Sequence, residues 1–270
     1  MKKKIWISIG VILALLWIFP IIWLIVVPFK PRGFSASSLD KLFTGGFTIN
    51  NFQRLIAESQ FILWFLNSVV IAVIQTVLAT SFASFVAYVF SQMKFPGKKF
   101  LYALLFISFM VPGEAILIPL FKIVAIDMNL SNSIIGVIIP AITNIFSFVI
   151  IKSFYDSIPK AYKESAQIDG AGNFKIWYKV YLPMSFGITM TMGVLNFIGS
   201  WNSYTWPLLI INSPEKYTLP IALPQFQTAY TAIDLALPMA ANLLATLPII
   251  IFFLIFQKQI MEIQMDGGIK

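Results

Sequence analysis

The side chains with the most chemical potential sit close together in one stretch: Trp201, Asn202, Tyr204 and Trp206. Aromatic faces suit the C–H surfaces of a sugar, and an amide suits its hydroxyls. The same residue types also build the aromatic belt at a membrane surface, so packing or belt roles are the default reading and solute contact the alternative. Glu114 follows Val111-Pro112-Gly113 inside a long apolar run. A charge there costs a few kcal/mol and is by default a functional-site hypothesis, although a proline kink near the outer face, where water reaches it, is the preferred reading. Asn67, Gln75 and Asn196 are mid-run polar residues that suit interhelical hydrogen bonds better than solute contact.

Much ordinary chemistry is excluded. The chain has no His and no Cys, which removes the commonest acid/base catalyst, disulfides and thiolate metal sites. Asp, Glu, Lys, Ser and Tyr remain, but no convergent set of them stands out as a catalytic centre. No Gly-x-x-x-x-Gly-Lys-Ser/Thr phosphate loop occurs, so any ATP must be bound by another polypeptide. The expectation is a chain that is not itself an enzyme and carries no cofactor or metal.

These residues must be positioned by elements built for lipid. Of 270 residues 59% are hydrophobic and 11% charged, and the mean hydropathy is +0.85, far from the usage of soluble domains. Apolar runs at about 5–29, 61–90, 100–121, 134–151, 184–211 and 235–256 are each long enough for a hydrocarbon core about 30 Å thick. The expected fold is therefore all-α, with six transmembrane helices in a single membrane domain over 1–270. The first run follows Lys2, Lys3 and Lys4, but it is too long for a secretory signal, and no small-residue cleavage site follows it. Several runs contain proline, which kinks a helix and suits a bundle around a pathway.

The net charge of +8 would suggest nucleic acid or acidic lipid in a soluble protein. Here the basic residues fall in loops, where they report topology and call for no nucleic acid. With the N-terminus inside, that side holds Lys2, Lys3, Lys4, Lys94, Lys98, Lys99, Lys152, Lys160, Lys163, Lys175, Lys179, Lys258 and Lys270, thirteen in all. Six lie opposite: Lys30, Arg32, Lys41, Arg54, Lys122 and Lys216. The bias places both termini in the cytoplasm, with the first outer loop running against the rule. In that loop, residues 52–57 read as a short amphipathic surface helix.

Residues 156–183 are the most polar stretch and, by this count, cytoplasmic. Pro159 suits a first helical turn, residues 160–168 follow, and Gly170 with Gly172 supply left-handed geometry to end the helix. Asn173 is placed to cap a second helix running toward Tyr181, before Pro183 breaks it. Within the loop stand Glu164-Ser165-Ala166, three residues, Gly170, nine residues, then Val180-Tyr181-Leu182-Pro183. This spacing resembles the EAA signature of the permease subunits of ABC importers, Glu-Ala-Ala, three residues, Gly, nine residues, Ile, any residue, Leu-Pro. Five of its seven defined positions match, with Ser165 and Val180 as compact or isosteric departures.

The resemblance extends through most of the chain and narrows to the carbohydrate-uptake branch, similar to the smaller permease of maltose-type transporters. The residues that carry it are Ile168-Asp169-Gly170-Ala171, Trp201-Asn202, Trp206-Pro207-Leu208, Tyr217-Thr218-Leu219-Pro220, Gly267-Gly268-Ile269-Lys270 and Asn67-Ser68. It implies the type I importer permease fold in a bacterial or archaeal cell membrane. It also implies four kinds of companion: a second homologous permease, two cytoplasmic ATPase subunits that hold ATP and Mg, an extracellular solute-binding protein, and the lipid membrane. By the same resemblance, the helix bearing Ala161, Glu164, Ser165, Ala166, Asp169 and Gly170 would dock on an ATPase. The tail at Gly268, Ile269 and Lys270 would add a second contact, unless it is merely frayed. The small side chains let a partner approach the backbone, while Glu164 and Asp169 offer orienting charges.

The solute implied is an oligosaccharide or polyol. Glycerol phosphate is an alternative within the same class. An ion-coupled carrier working alone is an alternative outside it, but that class wants inverted repeats and buried ionisable pairs.

Overall fold

The computed structural model describes residues 2–35, 40–230 and 234–266, and all regular structure among them is helical. In chain order the first α-helices are α1 (Lys2–Val26), α2 (Asn50–Glu58), α3 (Phe61–Gln92), α4 (Lys98–Met110), α5 (Gly113–Phe121), α6 (Ile134–Ile138) and α7 (Ile145–Ser157). They continue as α8 (Ala161–Ile168), α9 (Asn173–Ile176), α10 (Leu182–Met184), α11 (Phe186–Trp201), α12 (Thr205–Ile210), α13 (Leu219–Tyr230) and α14 (Ala236–Asp266). Wide π turns prolong α5 through Lys122–Asp127 and join α9 to α10 through Trp177–Tyr181.

Among the described residues, four stretches are long and apolar enough to cross a membrane: Ile9–Phe29, Phe61–Gln92, Ile134–Ser157 and Ala236–Gln257. Two bent pairs raise the number to six if each is one span. These are Lys98–Met110 with Gly113–Asp127, bent by 100°, and Asn173–Met184 with Phe186–Trp201, bent by 86°. The protein is thus a multi-pass, all-helical membrane protein.

Two spans that look continuous in sequence are broken. The run at 100–121 stops at Val111 and Pro112, because proline offers no N–H to the α4 ladder, and a new helix starts at Gly113. The run at 184–211 divides into α11 and α12. Pro207 could not donate to the carbonyl four residues back, at Ser203, so the chain leaves helix ahead of it. The expected surface helix at 52–57 forms as α2.

The chain forms two compact units. The first comprises residues through Leu66 with Thr218–Ile250. Its small core joins Val27, Phe34 and Leu42 to Trp23, Leu235 and Met239. Asn51 of α2 is buried and donates to the carbonyls of Pro28 (2.9 Å) and Lys30 (2.7 Å), pinning the turn that ends α1. Lys30 is buried too; its ammonium donates to the Thr44 carbonyl at 2.7 Å and lies 4.0 Å from the centre of the Phe47 ring. That burial lowers its pKa. Arg54 pairs with buried Asp234 at 3.1 Å.

The second unit comprises Asn67–Tyr217 with the residues from Ile251 onward. At about 1.5 Å per residue, the 32 residues of α3 measure about 48 Å, more than a hydrocarbon core about 30 Å thick. Its last turns carry Ser84, Tyr88 and Gln92, and the polar loop 156–183 assembles on them.

Candidate functional site

Helix α8 starts just after Pro159. The Lys160 carbonyl accepts from the backbone N–H of Lys163 and of Glu164, both at 3.0 Å. The helix ends at Asp169, beyond which Gly170 turns left-handed at φ +75°. The Gly170 N–H donates to Gln167 O (3.0 Å) and the Ala171 N–H to Ala166 O (2.9 Å), the paired bonds of a Schellman cap. A Cβ at Gly170 would meet no atom within 4 Å, so backbone conformation is the restriction there and not space. Gly172 plays a different part from the one expected: its φ is −71°, and it stands at the N-cap of α9. Asn173 does not cap that helix either; its Oδ1 accepts from the Tyr88 hydroxyl at 3.3 Å. Pro183 sits in the first turn of α10, where no N–H is missed, so the helix runs on to Met184.

The loop rests on a buried aromatic block. Tyr88 of α3, Tyr155 of α7 and Tyr181 are fully buried, and the Tyr181 ring centre lies 5.0 Å from that of Tyr88 and 5.3 Å from that of Tyr155. Trp177 Nε1 donates to Ser84 Oγ (3.0 Å), which is 2.8 Å from the Tyr155 hydroxyl. Ser185 Oγ donates to that same hydroxyl at 3.3 Å. Val180 and Leu182, two of the signature's apolar positions, pack against the block, as do Ala166 and Ala171. The end of α3 is held by cations: Lys163 Nζ donates to the Gln92 carbonyl and Lys98 Nζ to that of Met93 at 3.0 Å. Burial, and then the charges of Lys98 and Lys94, push the Lys163 pKa down.

Of the six coupling residues proposed from sequence, Ala161, Glu164, Ser165, Asp169 and Gly170 are exposed. Ala166 is half-buried, and its small size lets α8 approach its own chain. Sequence reasoning missed the apolar side chains beside them. Ile168 is 87% exposed, Phe174 66%, Tyr178 57% and Tyr162 51%. Four such groups in the most polar stretch of the chain were the available signal. Gly268, Ile269 and Lys270 lie outside the described residues.

A cavity of about 560 Å³ opens elsewhere in the second unit, bordered by Gln75, Glu114, Asn144, Asn196, Tyr204 and Trp206 among others. Tyr204 and Trp206 thus face the opening. Trp201 is buried and stacks on Phe197, and the Asn202 amide donates to Ile198 O at 3.0 Å; neither borders the cavity. Gln75 donates to Val137 O at 3.0 Å, and Asn196 donates to Thr80 Oγ1 at 3.0 Å while accepting from Asn144 at 2.8 Å. These amides therefore bind helices together and also line the cavity. Asn67 reaches the carbonyls of Glu215 (2.9 Å) and Tyr217 (3.1 Å). Glu114 lies in the first turn of α5, at the Pro112 break, and it too borders the cavity.

The second unit thus carries a capped loop helix with exposed apolar groups and, beside broken spans, a cavity whose lining mixes apolar and polar side chains. Residues 79–261 match the family model described as the inner membrane component of binding-protein-dependent transport systems. The chain belongs to that family. The match spans the α8 loop and the described residues that border the cavity, Gln75 excepted.

Relatives extend the likeness over nearly the whole permease. It is 31% identical over 262 residues to the arabinooligosaccharides transport system permease protein AraQ of Halalkalibacterium halodurans, covering 96% of this chain and 93% of the relative. It is 30% identical over 274 residues to the trehalose/maltose transport system permease protein MalG of Thermococcus litoralis, covering 99% and 97%. The fold matches that of a chain in the crystal structure of a bacterial ABC transporter involved in the import of the acidic polysaccharide alginate. The TM-score is 0.82 at 21% identity, with 96% and 97% of the two chains covered.

Proposed function

We propose that this permease forms half of the translocation pathway of an ATP-driven importer for a sugar, an oligosaccharide or a related polyol. The observation that carries the proposal is the α8 turn, an exposed apolar tip held stiffly on a buried aromatic block. The sugar systems named for its relatives supply the class of solute.

In this reading Ile168 and the small surfaces of Ala161, Ser165 and Gly170 enter a cleft on a cytoplasmic ATPase, and Glu164 and Asp169 orient them. Two ATPase subunits hold ATP and Mg; a second, homologous permease completes the pathway, and an extracellular binding protein delivers solute. Both termini lie in the cytoplasm. Closure of the ATPase pair on ATP pulls α8. The Tyr88–Tyr155–Tyr181 block passes that pull to α3 and α7, because packed interiors transmit displacement instead of absorbing it. The spans then rock between inward-open and outward-open arrangements as rigid bodies.

Reconstitution of the assembled complex in proteoliposomes tests this. ATP inside the ATPase compartment and binding protein on the opposite side are expected to drive accumulation of a neutral oligosaccharide. Uptake by this chain alone, without ATPase subunits, would overturn it.

A further inference from the structure

The cavity of the second unit carries a charge that the helix packing does not need. Among the described residues nineteen border it, and Glu114 is the one ionisable side chain of the Asp, Glu, Lys or Arg type among them. Glu114 has no ion-pair or hydrogen-bond partner among the described residues. Its polar neighbours are already held: Gln75 bonds to Val137 O and to the Ser200 hydroxyl, and Asn196 to Thr80, Asn144 and Ser147. Trp206 Nε1 is likewise fixed on Gly136 O at 3.2 Å, which leaves its ring and that of Tyr204 as faces bordering the space. The described lining thus combines held amides, hydroxyls and two aromatic rings with apolar side chains such as Ile116, Leu117 and Leu195, and it carries a single carboxylate.

We propose that Glu114 is a specificity-determining residue, and that it selects neutral polyhydroxyl solutes over anionic ones. The assignment rests on the transport reading above and deepens it. A carboxylate accepts hydrogen bonds from two neighbouring hydroxyls of a sugar, and charge-assisted bonds are about twice as strong as neutral ones. An anionic solute brings no such donors at its charged group and meets the like charge of Glu114, which is exposed to the cavity. Among the described residues no cation borders the cavity to offset the repulsion. Uronates and glycerol phosphate are therefore excluded from this pathway, and neutral oligosaccharides and polyols pass.

The test uses the full complex with its binding protein in proteoliposomes. The probes are the neutral oligosaccharide with the greatest uptake, the same oligosaccharide oxidised to a uronate at its terminal C6, and glycerol 3-phosphate. Binding-protein occupancy is measured for each probe, and uptake is expressed per occupied binding protein, which removes that protein's own preference. Wild type is expected to prefer the neutral probe at least tenfold. E114Q is expected to bring the three probes within about threefold, and E114D to keep the preference. Correct assembly of each variant is read from basal ATP turnover. An unchanged preference in E114Q, or equal uptake of neutral and anionic probes by wild type, overturns the role of Glu114 and leaves the transport reading standing. Absence of uptake of every saccharide overturns both.

Discussion

Ile168 offers the sharpest test of how force enters this permease. It ends α8 one residue before the cap, with 87% of its surface in solvent. Ile168→Ala removes three carbons, worth about 0.8 kcal/mol each when they pass from water to an apolar contact, or about 2.4 kcal/mol. Scaled by its exposed fraction the loss is about 2 kcal/mol, and at about 1.4 kcal/mol per tenfold this is roughly a 30-fold weaker hold on the ATPase. The fold itself loses nothing comparable, since the side chain is largely solvent-exposed and alanine is the better helix former. The assay is titration of purified ATPase subunits onto the permease pair in nanodiscs, beside thermal unfolding of the permease pair. A shift below threefold in affinity, with unfolding unchanged, would refute the idea that Ile168 enters a partner surface. A shift in unfolding temperature alone would show that it packs within its own subunit.

Four further outcomes follow from the geometry. At Gly170, φ of +75° costs a side chain with Cβ about 1–2 kcal/mol, whereas Asn tolerates the left-handed region. Gly170→Asn should therefore keep more coupled transport than Gly170→Ala. Gly170→Asp adds a charge to the same turn and should leave membrane insertion intact while uncoupling uptake from ATP hydrolysis, read as turnover without accumulation. Arg54→Ala strands the buried Asp234 carboxylate and should cost about 3 kcal/mol or more of stability in thermal unfolding. Tyr155→Phe removes the hydroxyl shared by Ser84 and Ser185 and should destabilise by about 1–3 kcal/mol, with solute preference unchanged.

The spans were legible because apolar length is a one-dimensional signal, and the loop because its glycine and proline spacing is another. The breaks within 100–121 and 184–211 have one cause: composition reports that a run is apolar, not whether Pro112 or Pro207 bends it or ends a helix within it. Glu114 illustrates what a sequence alone withholds. Its place at a proline break was readable, but its share in a cavity depends on α3, α11 and α12, which border the same space only in the fold. Gly170 and Gly172 looked equivalent, and only one is left-handed, because the Schellman cap needs a single such residue. Ala166 reads from the sequence as part of a docking face, and its packing against the aromatic block depends on contacts that only the fold supplies.

The most direct measurement exploits a chain without cysteine. Ser165→Cys places a single thiol on the exposed side of α8. In sealed proteoliposomes of defined orientation, a membrane-impermeant maleimide should label it from the cytoplasmic side. Bound ATPase subunits should slow that labelling at least tenfold. Labelling from the opposite side, or an unchanged rate with ATPase bound, would contradict a cytoplasmic coupling turn.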